Sequence, residues 1–303
     1  MSFLVLLGAL LLTYYRPLPV KFAAGHWHRD FSRLMERNLN DGHARHGFIA
    51  WVLSALLPTL LIAVAYYLLW HFAVPLATLY GVVVLYLVLD FRGFSAPAEA
   101  IAKALRDNHI QDARERLELW SGQSAEAYGA GEISRVAIET TLMRSHYSLY
   151  APIFWFMLLG PAGAVLYRLS QSVDAVWGGQ DEPFNRVPRT IFYWLDWLPV
   201  RFTAVCFAVV GDFEDALYCW RTQAAAWKNE AVGIMLASGA GALGVRIGEP
   251  LPFKGILEYR PEMGLGDVAD ADYLMSTVGL IWRALVLMLA LMLLLTFANW
   301  LGN

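Results

Sequence analysis

Residues 47–70 read GFIAWVLSALLPTLLIAVAYYLLW, 24 consecutive positions without a charged side chain. A bilayer core about 30 Å thick is crossed by about 20 helical residues rising 1.5 Å each, so this run is long enough to span. A second such run, Met275 to Trp300, carries a single charge, Arg283. Pro75 to Leu89 is shorter but follows the first run after a tight His71-Phe72-Ala73-Val74 link, which predicts a helical hairpin. Tyr150 to Tyr167 and Thr190 to Val210 are further candidate spans, and Ser2 to Tyr15 is a marginal sixth. No Lys or Arg precedes that first segment and no small-residue cleavage site follows it, so it reads as retained.

Composition agrees with the spans. The 303 residues are 58% apolar and 16% charged, against roughly 45–50% and about 25% for a soluble domain. The predicted class is all-α: a polytopic transmembrane helical bundle of about five to six spans, some broken, with amphipathic helices at the interface. A single integral membrane domain is expected over residues 1–303, its polar segments falling at about 16–46, 90–146 and 211–270.

Lys and Arg gather in those three segments. Segment 16–46 holds Arg16, Lys21, Arg29, Arg33, Arg37 and Arg45, and the other two hold seven and five, whereas the opposite side has Arg168, Arg186 and Arg189. By the positive-inside rule the three segments are expected to be cytoplasmic and both termini to lie outside. Tyr66, Tyr67 and Trp70, and Tyr193, Trp194 and Trp197, lie where span edges should meet the headgroups. Ala96 to Trp120 combines good helix formers with an apolar stripe through Ile101, Leu105 and Ile110, and a second helix is expected over Glu132 to Met143.

Several functions lack support. Net charge is −3 and no Lys/Arg-rich run occurs, which argues against nucleic acid. Cys206 and Cys219 read as packing residues. No P-loop surrounds Lys254, and Gly239 to Gly244, though it satisfies G-x-G-x-x-G, has no preceding strand, so small residues for close helix packing explain it better. His26 and His28 cannot share a helix face; His43 and His46 can, but with no cysteine nearby no metal site is expected.

Two constellations invite a functional reading beside a structural one. Gly160-Pro161-Ala162-Gly163 interrupts an apolar span, either as a simple proline kink or as irregular backbone lining a site. Asp196 and Arg201 flank Pro199 inside another span, either as an ion pair across the bend or as functional groups, since ionisable residues at that depth are costly.

From about Ala96 to Gly266 the chain resembles the CobD/CbiB family of cobalamin-biosynthesis membrane proteins. The resemblance rests on Ala137-Ile138-Glu139-Thr140, Ala151 to Phe156, Gly160 to Gly163, Tyr167-Arg168, Val173-Asp174-Ala175, Pro199-Val200-Arg201 and Ala240 to Arg246. It implies adenosylcobinamide-phosphate synthesis, in which the carboxyl of adenosylcobyric acid is joined to an aminopropanol phosphate with ATP activating the carboxyl. ATP and magnesium follow only from that reading, and no cofactor is otherwise expected. Where the family shows Glu-Asn and then Asp-Gly, this chain has Met143-Arg144 and Tyr147-Ser148; where it has paired Asp before Pro-x-Arg, this chain has Phe192-Tyr193.

Leu195 to Arg201 and the short first span also resemble AmpE, a related membrane protein of β-lactamase induction signalling. The leading expectation is therefore a diverged, AmpE-like signalling or partner-binding protein; the synthase is the alternative, and a transporter-like protein is a third reading. Under the synthase reading the catalytic candidates are Glu139, Asp174, Glu249 and Asp267. Ligand-binding candidates are Gly160, Pro161, Gly163, Arg168, Asp196, Arg201, Gly241, Gly244 and Arg246. The expected partners are the lipid bilayer and a corrinoid or cell-envelope small molecule, with self-association left open.

Overall fold

A computed structural model describes residues 2–17, 24–178, 182–253 and 256–301. Lys21 and Lys254 lie outside the described residues, as do the side chains of His26 and Trp27. The chain is helical almost throughout, and five helices are long and apolar enough to cross a membrane: Ala44–Phe72, Val74–Arg106, Ala130–Trp177, Pro183–Val210 and Ala271–Ala298. This is a multi-pass membrane protein, and four of the five contain one of the runs expected above while the fifth overlaps Met275 to Trp300 up to Ala298.

In chain order the helices are α1 (Ser2–Tyr15), α2 (Ala24–Leu39), α3 (Ala44–Phe72), α4 (Val74–Val88), α5 (Arg92–Arg106), α6 (Ile110–Ser121), α7 (Ala130–Ser145), α8 (Ala151–Trp177), α9 (Pro183–Val210), α10 (Phe213–Gln223), α11 (Glu230–Leu243) and α12 (Ala271–Leu301). The 14 residues of α1 extend about 21 Å, short of a full hydrocarbon core. Helix α3 contains a π turn at Val52–Leu56. A second π turn, His146–Tyr150, joins α7 to α8. Ala73 alone, in an extended conformation, separates α3 from α4, and Pro75 in the first turn of α4 loses no helical hydrogen bond there.

The chain divides into two compact units. Unit 1 comprises residues 1–91, 147–199 and 292–303; in it α1 packs on α4, α2 on α8, and the α3–α4 hairpin on α8. Small residues permit close approach: a Cβ at Gly81 would stand 3.1 Å from Val5 and 3.5 Å from the Pro161 ring. Unit 2 comprises residues 92–146 and 200–291; in it α5, α6 and α7 pack on one another, and α11 packs on α7 and α10.

The amphipathic stretch Ala96 to Trp120 forms two helices, each burying one face, and the expected stripe is shorter than the sequence suggests. Asn108, at φ 57°, breaks the chain into α5 and α6. Ile101 is buried, but Ile110 is exposed, so the stripe stops at the break. Helix α7, by contrast, is not amphipathic. Residues 133–142 are all buried, because α5, α6 and α11 cover it.

Helix α11 starts where the Asn229 side chain accepts from the Ala231 and Val232 N–H groups, and stops at Gly244, φ 67°. Capping an otherwise orphaned end is what Asn does best, and a left-handed C-terminal residue favours Gly. Beyond Gly244 come four short strands, β1 (Val245–Arg246), β2 (Leu251–Phe253), β3 (Ile256–Glu258) and β4 (Asp267–Val268). β1 pairs with β4 in parallel and β2 with β3 antiparallel, making a hairpin-bearing loop before α12.

Candidate functional site

The expected site residues fall into two groups, and each unit holds one. In unit 1, Gly160 breaks α8: its φ of 65° and ψ of −158° lie outside the helical region. Pro161 follows without the N–H that would bond the Met157 carbonyl, so the break is a reversal of backbone sense beyond a simple bend. Gly163 sits where the returning turn is tight, with a Cβ there 2.7 Å from that of Leu159.

One turn and more beyond the break, the Tyr167 hydroxyl donates to Oδ1 of Asp196 at 2.7 Å, and both residues are buried. Around them pack Ala151, Phe192, Tyr147, Trp155 and Leu195. The Tyr167 and Phe192 rings are 5.6 Å apart, and those of Tyr147 and Phe192 6.3 Å apart. Trp155 Nε1 donates to the Leu195 carbonyl at 3.0 Å. Arg168 donates to the Tyr147 carbonyl at 3.3 Å and to Gln171 at 3.1 Å, while its buried Nε has no hydrogen-bond partner among the described residues. Asp174 stands one turn before the α8 terminus, where Gly178 N–H reaches its carbonyl at 2.7 Å. Tyr167 stands in the sequence as part of the Tyr167-Arg168 motif but not as a site residue, and Gln171 was not singled out; its spacing on α8 from the Gly-Pro break is the one signal for it.

Unit 2 gathers Glu139, Glu249, Arg246, Asp267, Gly241 and Gly244 around the 245–268 loop. Glu139, on α7, accepts from Gly248 N–H at 3.0 Å through Oε1 and pairs with Arg260 through Oε2. Arg260 in turn lies over the Trp227 ring, 5.0 Å from its centroid. Arg135, one turn before Glu139, pairs with Glu249 and lies 3.4 Å from Glu132. Glu249 holds φ 59°, a conformation uncommon for a residue with a side chain, directly after Gly248 at φ 78°. The loop is further pinned by Gln223, which accepts from Gly264 N–H at 2.7 Å and donates to its carbonyl at 3.1 Å.

Arg246 leaves this corner with unused capacity. Its side chain is 40% exposed and lies 3.9 Å from Glu262, and among the described residues its buried Nε has no hydrogen-bond partner. Asp267 is exposed and accepts from the Tyr273 hydroxyl at 2.6 Å. Gly241 is forced by packing: a Cβ would stand 2.6 Å from the Asp215 carbonyl oxygen. Arg201, also in unit 2, lies 3.4 Å from Glu230, while Asp196 in unit 1 is held by Tyr167. Arg135, Arg260 and Gln223 escaped the sequence reading, because nothing in a chain predicts that residues separated by 121 positions, as Glu139 and Arg260 are, will meet.

Known proteins resemble the chain along nearly its whole length. A family model described as CobD/Cbib protein matches residues 6–296. A Stutzerimonas stutzeri protein named cobalamin biosynthesis protein CobD is 34% identical over 311 aligned positions, covering 99% of this chain and 98% of its own length. The protein of that name from Chromobacterium violaceum is 34% identical over 220 positions, 70% of each chain. One from Leptospira interrogans is 23% identical over 224 positions, 71% of this chain and 70% of its own. No solved structure matches. These names favour the biosynthetic alternative over the AmpE-like signalling expectation.

Proposed function

We propose that this chain, which belongs to the CobD/CbiB family, is an amide-forming ligase of cobalamin biosynthesis in the bacterial inner membrane, its basic segments facing the cytoplasm. The substrates would be a corrinoid carboxylic acid and aminopropanol phosphate, with ATP and magnesium activating the carboxyl. The observation that carries this reading is the full-length likeness to relatives named for cobalamin biosynthesis. The unit 2 corner supports it chemically.

ATP-dependent activation needs positive charge for phosphate oxygens and carboxylate oxygens for the magnesium ion. The orphaned Nε and half-open guanidinium of Arg246 fit an anionic group, and the exposed carboxylate of Asp267 and the half-buried one of Glu249 fit the metal. Glu139 does something different. Bound by Gly248 and Arg260, it fixes the loop that presents Arg246 and Glu249, and so acts as a positioning residue.

The test is direct. Purified full-length protein in detergent, given ATP, magnesium, adenosylcobyric acid and aminopropanol phosphate, should form the amide, detectable by mass, and Arg246→Ala should slow it by 10-fold or more, the loss of about 1.4 kcal/mol or more of transition-state binding. A folded protein that forms no amide would overturn the proposal.

A second reading, a diverged AmpE-like protein that binds a partner or corrinoid and signals, has its own observation. Positions where the resemblance expects acids are filled by Tyr147 and Phe192, and these pack into the aromatic cluster beside Tyr167. Corrinoid binding without turnover would favour it.

A further inference from the structure

The turn between α2 and α3 brings together three groups of another kind. Asp41, His43 and His46 each offer one ligand atom, and these atoms all lie within 4.8 Å of one another. Nδ1 of His43 is 3.3 Å from one Asp41 oxygen, and Nδ1 of His46 is 2.7 Å from the other. The sequence pairs the two histidines as i, i+3 neighbours but gives no third ligand. The fold adds Asp41 by reversing the chain at Gly42, φ 82°.

The turn is built tightly. Asn40 Oδ1 accepts from Gly42 N–H at 3.0 Å, and Asp41 Oδ1 accepts from His43 N–H at 3.2 Å. The Asn40 amide donates to Glu182 at 2.8 Å, placing a further carboxylate beside the turn, and Glu36 feels the field of Glu182 as well. Nδ1 of His46 lies within hydrogen-bonding distance of the Asp41 carboxylate, and Nδ1 of His43 lies 3.2 Å from the Asp41 backbone carbonyl, so both rings are turned toward the same residue. Two imidazoles converging on one carboxylate have the arrangement of a metal-ligand set.

We propose that Asp41, His43 and His46 bind one divalent transition-metal ion, of the zinc class. Two imidazoles and one carboxylate suit a borderline ion such as zinc, and suit magnesium or calcium poorly, since those prefer all-oxygen shells. Three protein ligands leave a fourth position for water or an exchangeable group. The cluster lies in unit 1, apart in sequence and function from the Arg246 corner, so the site stands whether or not the chain is a ligase.

Zinc titration of the detergent-purified full-length protein against a chromophoric chelator reads the affinity, and cobalt(II) substitution reports the coordination through its visible absorption. The expected result is one zinc ion per chain, at least 10-fold tighter than magnesium, with His43→Gln and His46→Gln each weakening zinc by 10-fold or more and abolishing the cobalt spectrum. His71→Gln, outside the cluster, should leave both unchanged. Absence of stoichiometric zinc binding in the wild type, or unaltered affinity in His46→Gln with the fold intact by circular dichroism, would overturn the proposal.

Discussion

Asp196 and Glu139 are both buried carboxylates, and their surroundings in the two units differ. At Asp196 a neutral hydroxyl, that of Tyr167, donates to Oδ1 inside a cluster of aromatic rings. Around Glu139 it is the guanidinium of Arg260, together with a backbone N–H from a glycine turn. Burying a carboxylate among rings uses it as an internal strut for helices that lipid already confines. Burying it against a guanidinium ties a polar loop to a helix, and leaves a neighbouring arginine open to an anion.

The largest effect expected from this contrast is that of Glu139→Ala. It leaves Arg260, 17% exposed, without its counter-charge and Gly248 N–H without its acceptor. Stranding one member of such a pair costs about 3–5 kcal/mol. Thermal unfolding in detergent should show the loss, and amide formation should fall with it.

Tyr167→Phe should cost less, about 1–3 kcal/mol, because a neutral donor is removed and a cavity no larger than a hydroxyl remains. The same melting experiment orders the two. A Tyr167→Phe variant as unstable as Glu139→Ala would erase the distinction between the units.

The smallest effect concerns pH. In unit 1, His28 Nε2 bonds the Ser54 carbonyl at 2.9 Å, which makes that nitrogen the donor and leaves Nδ1, 3.4 Å from the Ser32 hydroxyl, as acceptor. Burial, more than the nearby Arg168 charge, pushes the imidazole below its usual value of 6.5. The unfolded chain therefore binds the proton more readily, so the contribution is complete above about pH 6.5 and is lost as pH falls below it, by at most about 1.4 kcal/mol per unit. Melting temperature measured from pH 7.5 to 5.5 should decline more steeply in the wild type than in His28→Gln. Equal slopes would show that His28 does not titrate with folding.

The spans were legible because nothing but lipid suits residues 47–70 or 275–300. Helix α7 was not: Arg135, Glu139 and Arg144 look like an interfacial face, yet each meets a partner within the fold, Arg135 at Glu249, Glu139 at Arg260, and Arg144 at the Trp120 carbonyl and over that ring at 5.5 Å. A periodicity argument sees polarity and cannot see a partner two helices away. Of the site, Gly160, Tyr167, Glu139 and Arg246 stand in the motifs that carry the family resemblance, whereas Arg260 and Gln223 depended on long-range folding. Asp41 escaped because its role is created by a turn, and turns three residues long leave little pattern.

The π turn in α3 changes how residues 47–70 should be read. Gly47, Trp51, Ala55 and Thr59 are all buried, a spacing of four. At about 100° per residue, each step of four overshoots a full circle by about 40°, so three steps would carry the row about 120° around a regular α-helix. The additional residue accommodated at Val52–Leu56 takes back roughly one residue's rotation, about 100°, and so keeps the row nearly straight. Two helical wheels offset by about a quarter turn thus share one seam, and a single wheel drawn through the whole run assigns the wrong neighbours to its second half.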